Sequence, residues 1–199
     1  MARLSAADRR AALVAAALRV MSRDGLAAGT TRAVVAEAGM SLASFHYAFA
    51  SRDELLGELV HRVVGRELGA ATANWNPADG LAGLLRAAAS GYLEHLEREP
   101  GEEQLMLELT LLAVRHPDLQ PIAREQYRAY TAAATELLSR AAAQTGTSWR
   151  RPVPELARLL VTLVDGATTS WLVDRDTAAT RAVLAAAVDL FVEQHAEAR

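Results

Sequence analysis

Cysteine and lysine are both absent from this 199-residue sequence. Without cysteine, the chain has no disulfide framework and no metal site built on thiolates. The five histidines stand at positions 46, 61, 95, 116 and 195, and none forms a pair three or four residues apart beside a carboxylate. Such pairs are a common basis for a helical metal site, so we expect no metal and no cofactor.

Signatures of catalysis are missing as well. The sequence contains no nucleophile elbow, phosphate-binding loop or dinucleotide-binding glycine motif. Its acidic runs, Glu97–Glu99 and Glu102–Glu103, are most simply interpreted as solvated surface near a helix break. We therefore expect no catalytic residues and no enzymatic activity.

Long apolar runs are also lacking, since none approaches the roughly 20 residues that cross a bilayer. Charges occur early, at Arg3, Asp8, Arg9 and Arg10, and no apolar signal-peptide stretch follows them. These two absences predict a cytoplasmic protein that does not engage a membrane.

The charge that is present is divided unevenly along the chain. All 21 basic residues are arginine, and residues 1–52 hold seven of them against three acids, a net charge of +4. Residues 53–199 carry a net charge of −7. A basic N-terminal quarter on an acidic body suits a small nucleic-acid-binding domain, because neutralising phosphates supplies much of the affinity for nucleic acid.

Helix-forming residues dominate nearly the whole chain, and the alternation typical of strands is missing. Helix-end signals divide the sequence into about nine helices joined by short connections. The first is predicted to end near Arg23, and the fourth to run from a capping box at Ser51–Glu54 to near Trp75. The segment Gly146–Pro154 is the longest polar interruption and is predicted to be a mobile loop. The predicted fold class is all-α.

The stretch before the fourth helix has the pattern of a helix-turn-helix. Val34 and Val35 give the second helix an apolar face, and Gly39-Met40-Ser41 gives a tight turn. Phe45 and Phe49, four residues apart, give the third helix a single apolar face. Two short helices joined by a three-residue turn that contains glycine are typical of a domain whose second helix enters the DNA major groove.

This stretch resembles the N-terminal region of the TetR (tetracycline-repressor-like) family over residues 8–56. The matching motifs are Gly25-Leu26, Thr30-Thr31 as a helix cap, Ala38-Gly39-Met40-Ser41, Phe45-His46-Tyr47-Ala48-Phe49 and Ser51-Arg52-Asp53-Glu54-Leu55-Leu56. Two positions depart from the family pattern: His46 replaces the usual tyrosine, and Ala48 replaces the common histidine or tyrosine. The resemblance implies a helix-turn-helix DNA-binding domain at residues 1–52 and a helical ligand-binding and dimerisation domain at residues 53–199.

The resemblance also implies which residues contact DNA. Thr31 and Ser41, as helix N-caps, would offer hydroxyl and backbone N–H groups to phosphates, and Arg52 would contact a backbone phosphate. The predicted DNA-binding residues are Thr31, Arg32, Ser41, Leu42, Ala43, Ser44, His46, Tyr47 and Arg52. Alternatively, Arg52 serves only as a partner for the helix end, while Arg9 and Arg10 either share the phosphate contacts or are surface charges.

The last two predicted helices, residues 154–173 and 177–195, are apolar around most of their circumference, so each must be buried on two sides. The resemblance implies that a second copy covers one side, forming a two-fold homodimer with a four-helix bundle. A purely intramolecular core is the alternative. The predicted interface residues are Leu160, Leu163, Ala167, Leu184, Val188 and Phe191.

A ligand pocket is expected among the fourth to eighth helices, because small-molecule sites are mostly apolar with a few placed polar groups. The predicted ligand-binding residues are Tyr92, His95, Met106, Tyr127, Tyr130, Thr168 and Trp171. Few arginines face an apolar stripe, which argues against a highly anionic ligand. The expected effector is therefore small and mostly apolar.

Together these features predict a transcriptional regulator, by family habit a repressor, that a small-molecule ligand releases from a palindromic double-stranded DNA operator. A dimer presents two recognition helices to half-sites about one DNA turn apart, so dimer and palindrome are expected together. The alternative is a helical ligand-binding or adaptor protein with a degenerate helix-turn-helix, which the changes at His46 and Ala48 leave open. Salt-dependent binding to a palindromic duplex separates the two.

Overall fold

The computed structural model describes residues 5–198, and within that range the chain folds into nine α-helices. Their bounds are α1 Ala6–Asp24, α2 Thr31–Glu37, α3 Leu42–Ala48, α4 Arg52–Thr72, α5 Gly80–Arg98, α6 Pro100–Arg115, α7 Gln120–Thr145, α8 Val153–Asp174 and α9 Thr177–His195. Short 3-10 turns follow α1 at Leu26–Ala28, α4 at Pro77–Asp79 and α6 at Pro117–Leu119. The all-α prediction is confirmed. Arg3, counted among the N-terminal charges, lies outside the described residues.

Side-chain caps begin the two helices of the predicted helix-turn-helix. The hydroxyl of Ser41 accepts a hydrogen bond from the backbone N–H of Ser44 at 3.2 Å, as the sequence predicts for α3. At α2 the capping hydroxyl belongs to Thr30, which accepts from the N–H of Ala33 at 3.2 Å. Thr31 is therefore the first helical residue and not the N-cap that its predicted phosphate contact assumed.

The predicted capping box starts α4, although α4 is shorter than expected. Ser51 Oγ accepts from the N–H of Glu54 at 3.1 Å, and the Glu54 carboxylate accepts from the N–H of Ala50 at 2.7 Å. Two backbone donors that no helical carbonyl can reach are thus satisfied. The helix ends at Thr72, three residues before Trp75.

By compactness, the described chain divides into two units. The first contains the residues up to Val63 together with Gly101–Tyr127, and the second contains Val64–Pro100 and the residues from Arg128 onward. The helix-turn-helix and most of α6 therefore belong to one compact unit. The functional domain boundary between residues 52 and 53 stays a prediction.

Each unit has its own buried core. In the first unit, α1 to α4 bury apolar side chains that include Leu13, Val34, Phe45, Phe49 and Leu59. In the second unit, one cluster includes Leu84, Leu138, Leu156 and Phe191. A smaller cluster in the same unit contains Leu93, Leu96, Trp171 and Leu184.

The acidic pair Glu102–Glu103 is buried, and the prediction of solvated surface was wrong for it. Glu102 is 3 % exposed and Glu103 is 6 % exposed, in the first turn of α6. The preceding residue, Gly101, packs so closely on α1 that a Cβ there would overlap the carbonyl oxygen of Ser22. Because the α6 backbone lies this close to α1, the first turn of α6 is buried together with its two acids. The residue type of an acid does not show that it lies at such a contact.

Part of the segment predicted to be a mobile loop instead forms one strand of a two-stranded antiparallel ribbon. Strand β1, Thr147–Trp149, pairs with strand β2, Ala196–Ala198. Trp149 Nε1 donates to the carbonyl of Leu138 at 3.1 Å, and the Trp149 ring stands edge-on to Phe191 with centroids 5.8 Å apart. A three-residue strand is too short to show alternation, so the sequence pattern carried no signal for it.

Among residues 5–198, one helix, α8, is long and apolar enough to cross a bilayer when judged by length and composition. Glu155, Arg158 and Asp165 interrupt the apolar run of this helix, so the sequence contains no uninterrupted apolar stretch of that length. The core helix of a soluble protein passes the same test. Much of α8 is unburied in the single chain, with Leu159 and Leu163 exposed.

Candidate nucleic-acid interface

The turn between α2 and α3 sets the direction of α3. Gly39 has a φ of 63°, a left-handed conformation that glycine adopts at little cost. Met40 donates its N–H to the carbonyl of Val35 at 2.8 Å and closes the end of α2. On α3, Phe45 and Ala48 are buried, and Phe49, which follows the helix, is buried as well. These side chains hold one face of α3 against α1 and α2 and leave the other face outward. We call α1, α2, α3 and the start of α4 the head.

The outward face of α3 carries the residues predicted to read DNA. Ser41, Ala43 and His46 are exposed. Leu42 is 44 % exposed and Tyr47 is 74 % exposed. Ser44 is half-buried and bonded to Ser41, with their Oγ atoms 3.0 Å apart. The structure therefore groups six of the nine predicted residues on and beside one exposed helix face.

Arginine from α1 extends this face beyond α3. The guanidinium carbon of Arg9 lies 5.3 Å from the centroid of the Tyr47 ring, within the range of a cation–π contact. Arg9 thus places positive charge beside the most exposed aromatic side chain of the helix. Sequence reasoning weighed Arg9 only as a surface charge or a shared phosphate contact, because a contact across 38 residues leaves no local pattern.

The other predicted DNA contacts lie on α2 and at the start of α4. Thr31 is half-buried and Arg32 is exposed. Arg52 is half-buried, and its guanidinium donates to two backbone carbonyls: Nη2 to Leu26 at 2.8 Å and Nε to Gly29 at 3.1 Å. Arg52 thus holds the backbone of the turn after α1, a role that the sequence analysis did not name, and its phosphate contact stays a prediction.

Part of the positive charge of the head is paired with acids of the same unit. Arg19 Nε lies 2.8 Å from Glu37 Oε1, and Arg23 Nη2 lies 2.7 Å from Asp24 Oδ2. The hydrogen bond from Arg23 holds the pKa of Asp24 below its ordinary value, and it raises the pKa of Arg23. The net charge of +4 already counts Asp24 and Glu37, so the excess positive charge comes from arginines other than Arg19 and Arg23.

The predicted ligand-binding residues do not form a single cluster. Tyr92 Oη and Thr168 Oγ1 are 2.6 Å apart, and Tyr92 packs against the small cluster that contains Trp171. Trp171 Nε1 donates to Thr177 Oγ1 at 3.0 Å. The structure therefore brings together three of the seven residues: Tyr92, Thr168 and Trp171.

The remaining four ligand predictions have separate positions. His95 is buried on α5, one turn beyond Tyr92, and Tyr130 is half-buried on α7. Met106 and Tyr127 belong to the other compact unit, where Met106 is buried and Tyr127 is exposed. These four residues stay predictions.

Two of the predicted dimer residues belong to the core of their own chain. Leu184 is 8 % exposed and Phe191 is 6 % exposed, each packed in one of the clusters of the second unit. Little of either side chain is left for a partner, and their place in a subunit interface stays a prediction. Leu160, Ala167 and Val188 are half-buried against the same clusters, while Leu163 is exposed.

A set of apolar residues on α8 and α9 is exposed, and it shares only Leu163 with the predicted interface. Leu159 lies four residues before Leu163 on α8, and Val183 and Leu190 lie seven residues apart on α9, so each pair shares a helix face. We call Leu159, Leu163, Val183 and Leu190 the α8–α9 face. The spacing of these residues pairs them in the sequence, but it does not show which side of each helix the chain itself buries.

A chain whose second and third helices form a capped helix-turn-helix, followed by six further helices in residues 52–195, has the architecture of a DNA-binding regulator. The family profile described as bacterial regulatory proteins, tetR family, matches residues 13–59, and the profile described as tetracyclin repressor-like, C-terminal domain, matches residues 76–193. The chain therefore belongs to the TetR family of transcriptional regulators.

Several relatives cover nearly the whole chain. The HTH-type nicotine-responsive transcriptional repressor HdnoR of Paenarthrobacter nicotinovorans is 26 % identical over 173 residues, which are 86 % of this chain and 88 % of that protein. A crystal structure of a TetR-family regulator from Rhodococcus sp. matches with a TM-score of 0.79 and 21 % identity, covering 92 % of this chain and 97 % of that one. The multidrug binding protein EbrR, complexed with imidazole, matches with a TM-score of 0.56 and 30 % identity, covering 88 % and 92 %.

Proposed function

We propose that the protein is a cytoplasmic homodimeric repressor that binds a palindromic double-stranded DNA operator and leaves it when a small, mostly apolar effector binds. The observation that carries the proposal is the outward face of α3. A buried face of Phe45 and Ala48 holds that helix, while Leu42 and Tyr47 stand in solvent. Large exposed apolar and aromatic side chains on a short helix indicate a surface that contacts another molecule.

The chemistry of this face suits a major groove. The small residues Ser41 and Ala43 at the start of α3 allow close approach to base edges, and Leu42 offers an apolar contact to a thymine methyl group. Tyr47 and His46 supply hydrogen-bonding groups for a base or a phosphate. Arg9, held against the Tyr47 ring, supplies positive charge at the same end of the helix.

The α8–α9 face supports the homodimer. Four large apolar side chains exposed on two adjacent helices are typical of an interface covered by another chain. Against a second copy they would form a four-helix bundle related by a two-fold axis. Burial of the exposed side of α8 by a second copy would also explain why this helix is so apolar, with no membrane involved. A two-fold dimer would then match a palindromic operator.

The effector is proposed to bind beside Tyr92, Thr168 and Trp171, which combine aromatic surface with hydroxyl groups. HdnoR is described as nicotine-responsive, and EbrR has been crystallised with imidazole and with proflavin. These names support a small effector with an aromatic ring. A difference in effector affinity of about 1–3 kcal/mol between the DNA-bound and released conformations is enough for regulation.

Selection of bound duplexes from a random DNA pool tests the proposal, followed by affinity titration of the selected duplex at two salt concentrations. We expect a palindromic site and a steep loss of affinity with salt. Tyr47→Ala should weaken binding, whereas Val114→Ala, which changes an equally exposed residue of α6, should not. If a folded dimer enriches no site, the chain is instead a helical ligand-binding or adaptor protein with a degenerate helix-turn-helix.

Once a duplex is selected, the same titration identifies the effector. Nicotine, imidazole and proflavin are the first compounds to test, because they are named with the relatives. Release of the duplex that saturates as the compound is titrated supports induction. If none of a broad set of aromatic compounds releases it, the regulator acts without this kind of effector.

A further inference from the structure

A residue of α6 holds the turn that follows α1. Glu108 Oε2 lies 2.6 Å from the backbone nitrogen of Leu26, although 82 positions separate the two residues in the chain. A Cβ built on Gly25 would lie 3.4 Å from Glu108 Oε1, so the carboxylate lies directly against the Gly25–Leu26 peptide. A hydrogen bond from an N–H to a charged oxygen at such a distance belongs to the stronger class.

The carbonyl side of the same turn is held by a cation. Leu26 O accepts from Arg52 Nη2 at 2.8 Å, and Gly29 O accepts from Arg52 Nε at 3.1 Å. Arg52 is the first residue of α4, and the Leu26 side chain is buried. The backbone of Leu26 is thus bonded at its N–H by an anion from α6 and at its carbonyl by a cation from α4.

A second close contact fixes the direction of α6. Gly101 packs against the last turn of α1, where a Cβ would overlap the Ser22 carbonyl oxygen. Gly101 and Glu108 are seven residues apart, which places them on one face of α6 about 10 Å apart along its axis. Two attachments at that separation set the orientation of α6 against the end of α1, and all these residues belong to one compact unit.

We propose that Glu108 is a positioning residue for DNA binding: through its carboxylate, α6 holds the turn that leads into α2 and α3. Without the hydrogen bond from Leu26 to Glu108, that turn and the recognition helix after it are held less firmly. The part that concerns DNA rests on the function proposed above.

The experiment compares the full-length protein with Glu108→Gln and Glu108→Ala. Glu94→Gln is the matched control, because Glu94 is an exposed acid on α5. Three quantities are measured: hydrogen exchange of the peptides that contain Leu26 and α2–α3, affinity for the selected duplex, and the melting temperature. Glu108 is itself exposed, so its replacement should leave the protein folded.

We expect both Glu108 variants to exchange faster at Leu26 and across α2–α3, with unchanged exchange in α5 and α9. Their affinity for the duplex should fall roughly tenfold, the scale expected when a charged hydrogen bond is lost. The melting temperature should stay close to that of the Glu94→Gln control, because a positioning role does not require a loss of global stability.

Three results overturn the proposal. If hydrogen exchange at Leu26 is unchanged in Glu108→Ala, the Glu108 carboxylate does not hold the Leu26 backbone. If hydrogen exchange is faster but affinity for the duplex is unchanged, Glu108 does not position the DNA-binding residues, and the proposed DNA function still stands. A fall in affinity that is matched by an equal fall in global stability reduces Glu108 to an ordinary structural residue. If the unaltered protein binds no duplex, the DNA function fails by itself, and exchange in α2–α3 alone decides whether α6 holds the head.

Discussion

Arg10 Nη2 lies 2.8 Å from Glu54 Oε1 and joins α1 to the first turn of α4. The same guanidinium donates through Nε to Glu58 at 2.9 Å and through Nη1 to the carbonyl of Ala48. It also lies over the Phe49 ring, 4.3 Å from the centroid. One arginine thus links the first, third and fourth helices, which makes Arg10 a structural residue of the head.

Replacing Arg10 by alanine should destabilise the head. Arg10→Ala removes the bonds to both glutamates and leaves the Ala48 carbonyl without its side-chain donor. Because the pairs are partly exposed and screened, we expect a fall of only a few degrees in the melting temperature, measured by circular dichroism. Arg19→Ala, which breaks a single exposed pair on α1, is the control. Equal melting temperatures for the two variants would contradict this role.

The stability of the head should fall in acid through Glu54. Its pKa lies below the ordinary glutamate value, first because the Ala50 N–H donates to its carboxylate and second because Arg10 does. A carboxyl whose folded pKa is depressed stabilises the fold above its unfolded pKa of about 4.3 and loses that contribution as the pH falls through the folded pKa.

Urea unfolding between pH 6 and pH 3 measures this contribution. Glu54→Gln should be less stable than the unaltered protein at pH 6, and the difference should shrink as the pH falls. Glu136→Gln, at an exposed acid on α7, provides the comparison. A constant difference between Glu54→Gln and the unaltered protein across the whole range would show that ionised Glu54 does not stabilise the fold.

A charge on the α8–α9 face should break the proposed dimer without unfolding the chain. Leu190 is 60 % exposed in the single chain, so Leu190→Glu costs little inside the subunit but buries an unpaired charge in the interface. We expect monomers in sedimentation velocity and loss of affinity for the duplex. Leu111→Glu, at an exposed leucine of α6, should stay dimeric. A dimeric Leu190→Glu would place the interface elsewhere.

Two glycines should respond to alanine in opposite directions. A Cβ on Gly91 of α5 would overlap the carbonyl oxygen of Ala70 on α4, so Gly91→Ala must displace backbone and should cost about 1–3 kcal/mol. Gly69 is a helical glycine with no neighbouring atom within 4 Å of the added Cβ, so Gly69→Ala should stabilise the fold by about 0.5–1 kcal/mol. Urea unfolding measures both. A stabilised Gly91→Ala would contradict the packing of α4 against α5, and a destabilised Gly69→Ala would contradict the open space around Gly69.

The features that the sequence predicted well are local ones. The caps at Ser41 and Ser51, the turn at Gly39 and the inward face of Phe45 depend on residues within a few positions of one another. Such signals survive in a single sequence because hydrogen-bonding reach and helical period connect them directly. They were enough to predict the fold class and the outward face of α3.

The features that were missed depend on which surfaces meet. Leu163 and Leu184 are equally apolar, yet one is exposed and the other lies in the core, because an apolar helix does not show which side its own chain covers. Arg52 and Glu108 also lacked a signal, since their partner, Leu26, is remote in sequence and is bound through its backbone. A backbone N–H or carbonyl is the same in nearly every residue type, so the sequence does not show which backbone group a side chain binds.

The two hydrogen bonds that hold the Leu26 backbone, one with Glu108 and one with Arg52, cannot exchange their charges. Its N–H requires an acceptor and its carbonyl requires a donor, so the anion must stand at Glu108 and the cation at Arg52. In an ordinary salt bridge the two charges can be exchanged and the attraction is kept. Here the exchange, Glu108→Arg together with Arg52→Glu, would set a donor against a donor and an acceptor against an acceptor. The peptide backbone therefore dictates which helix of this chain carries the negative charge.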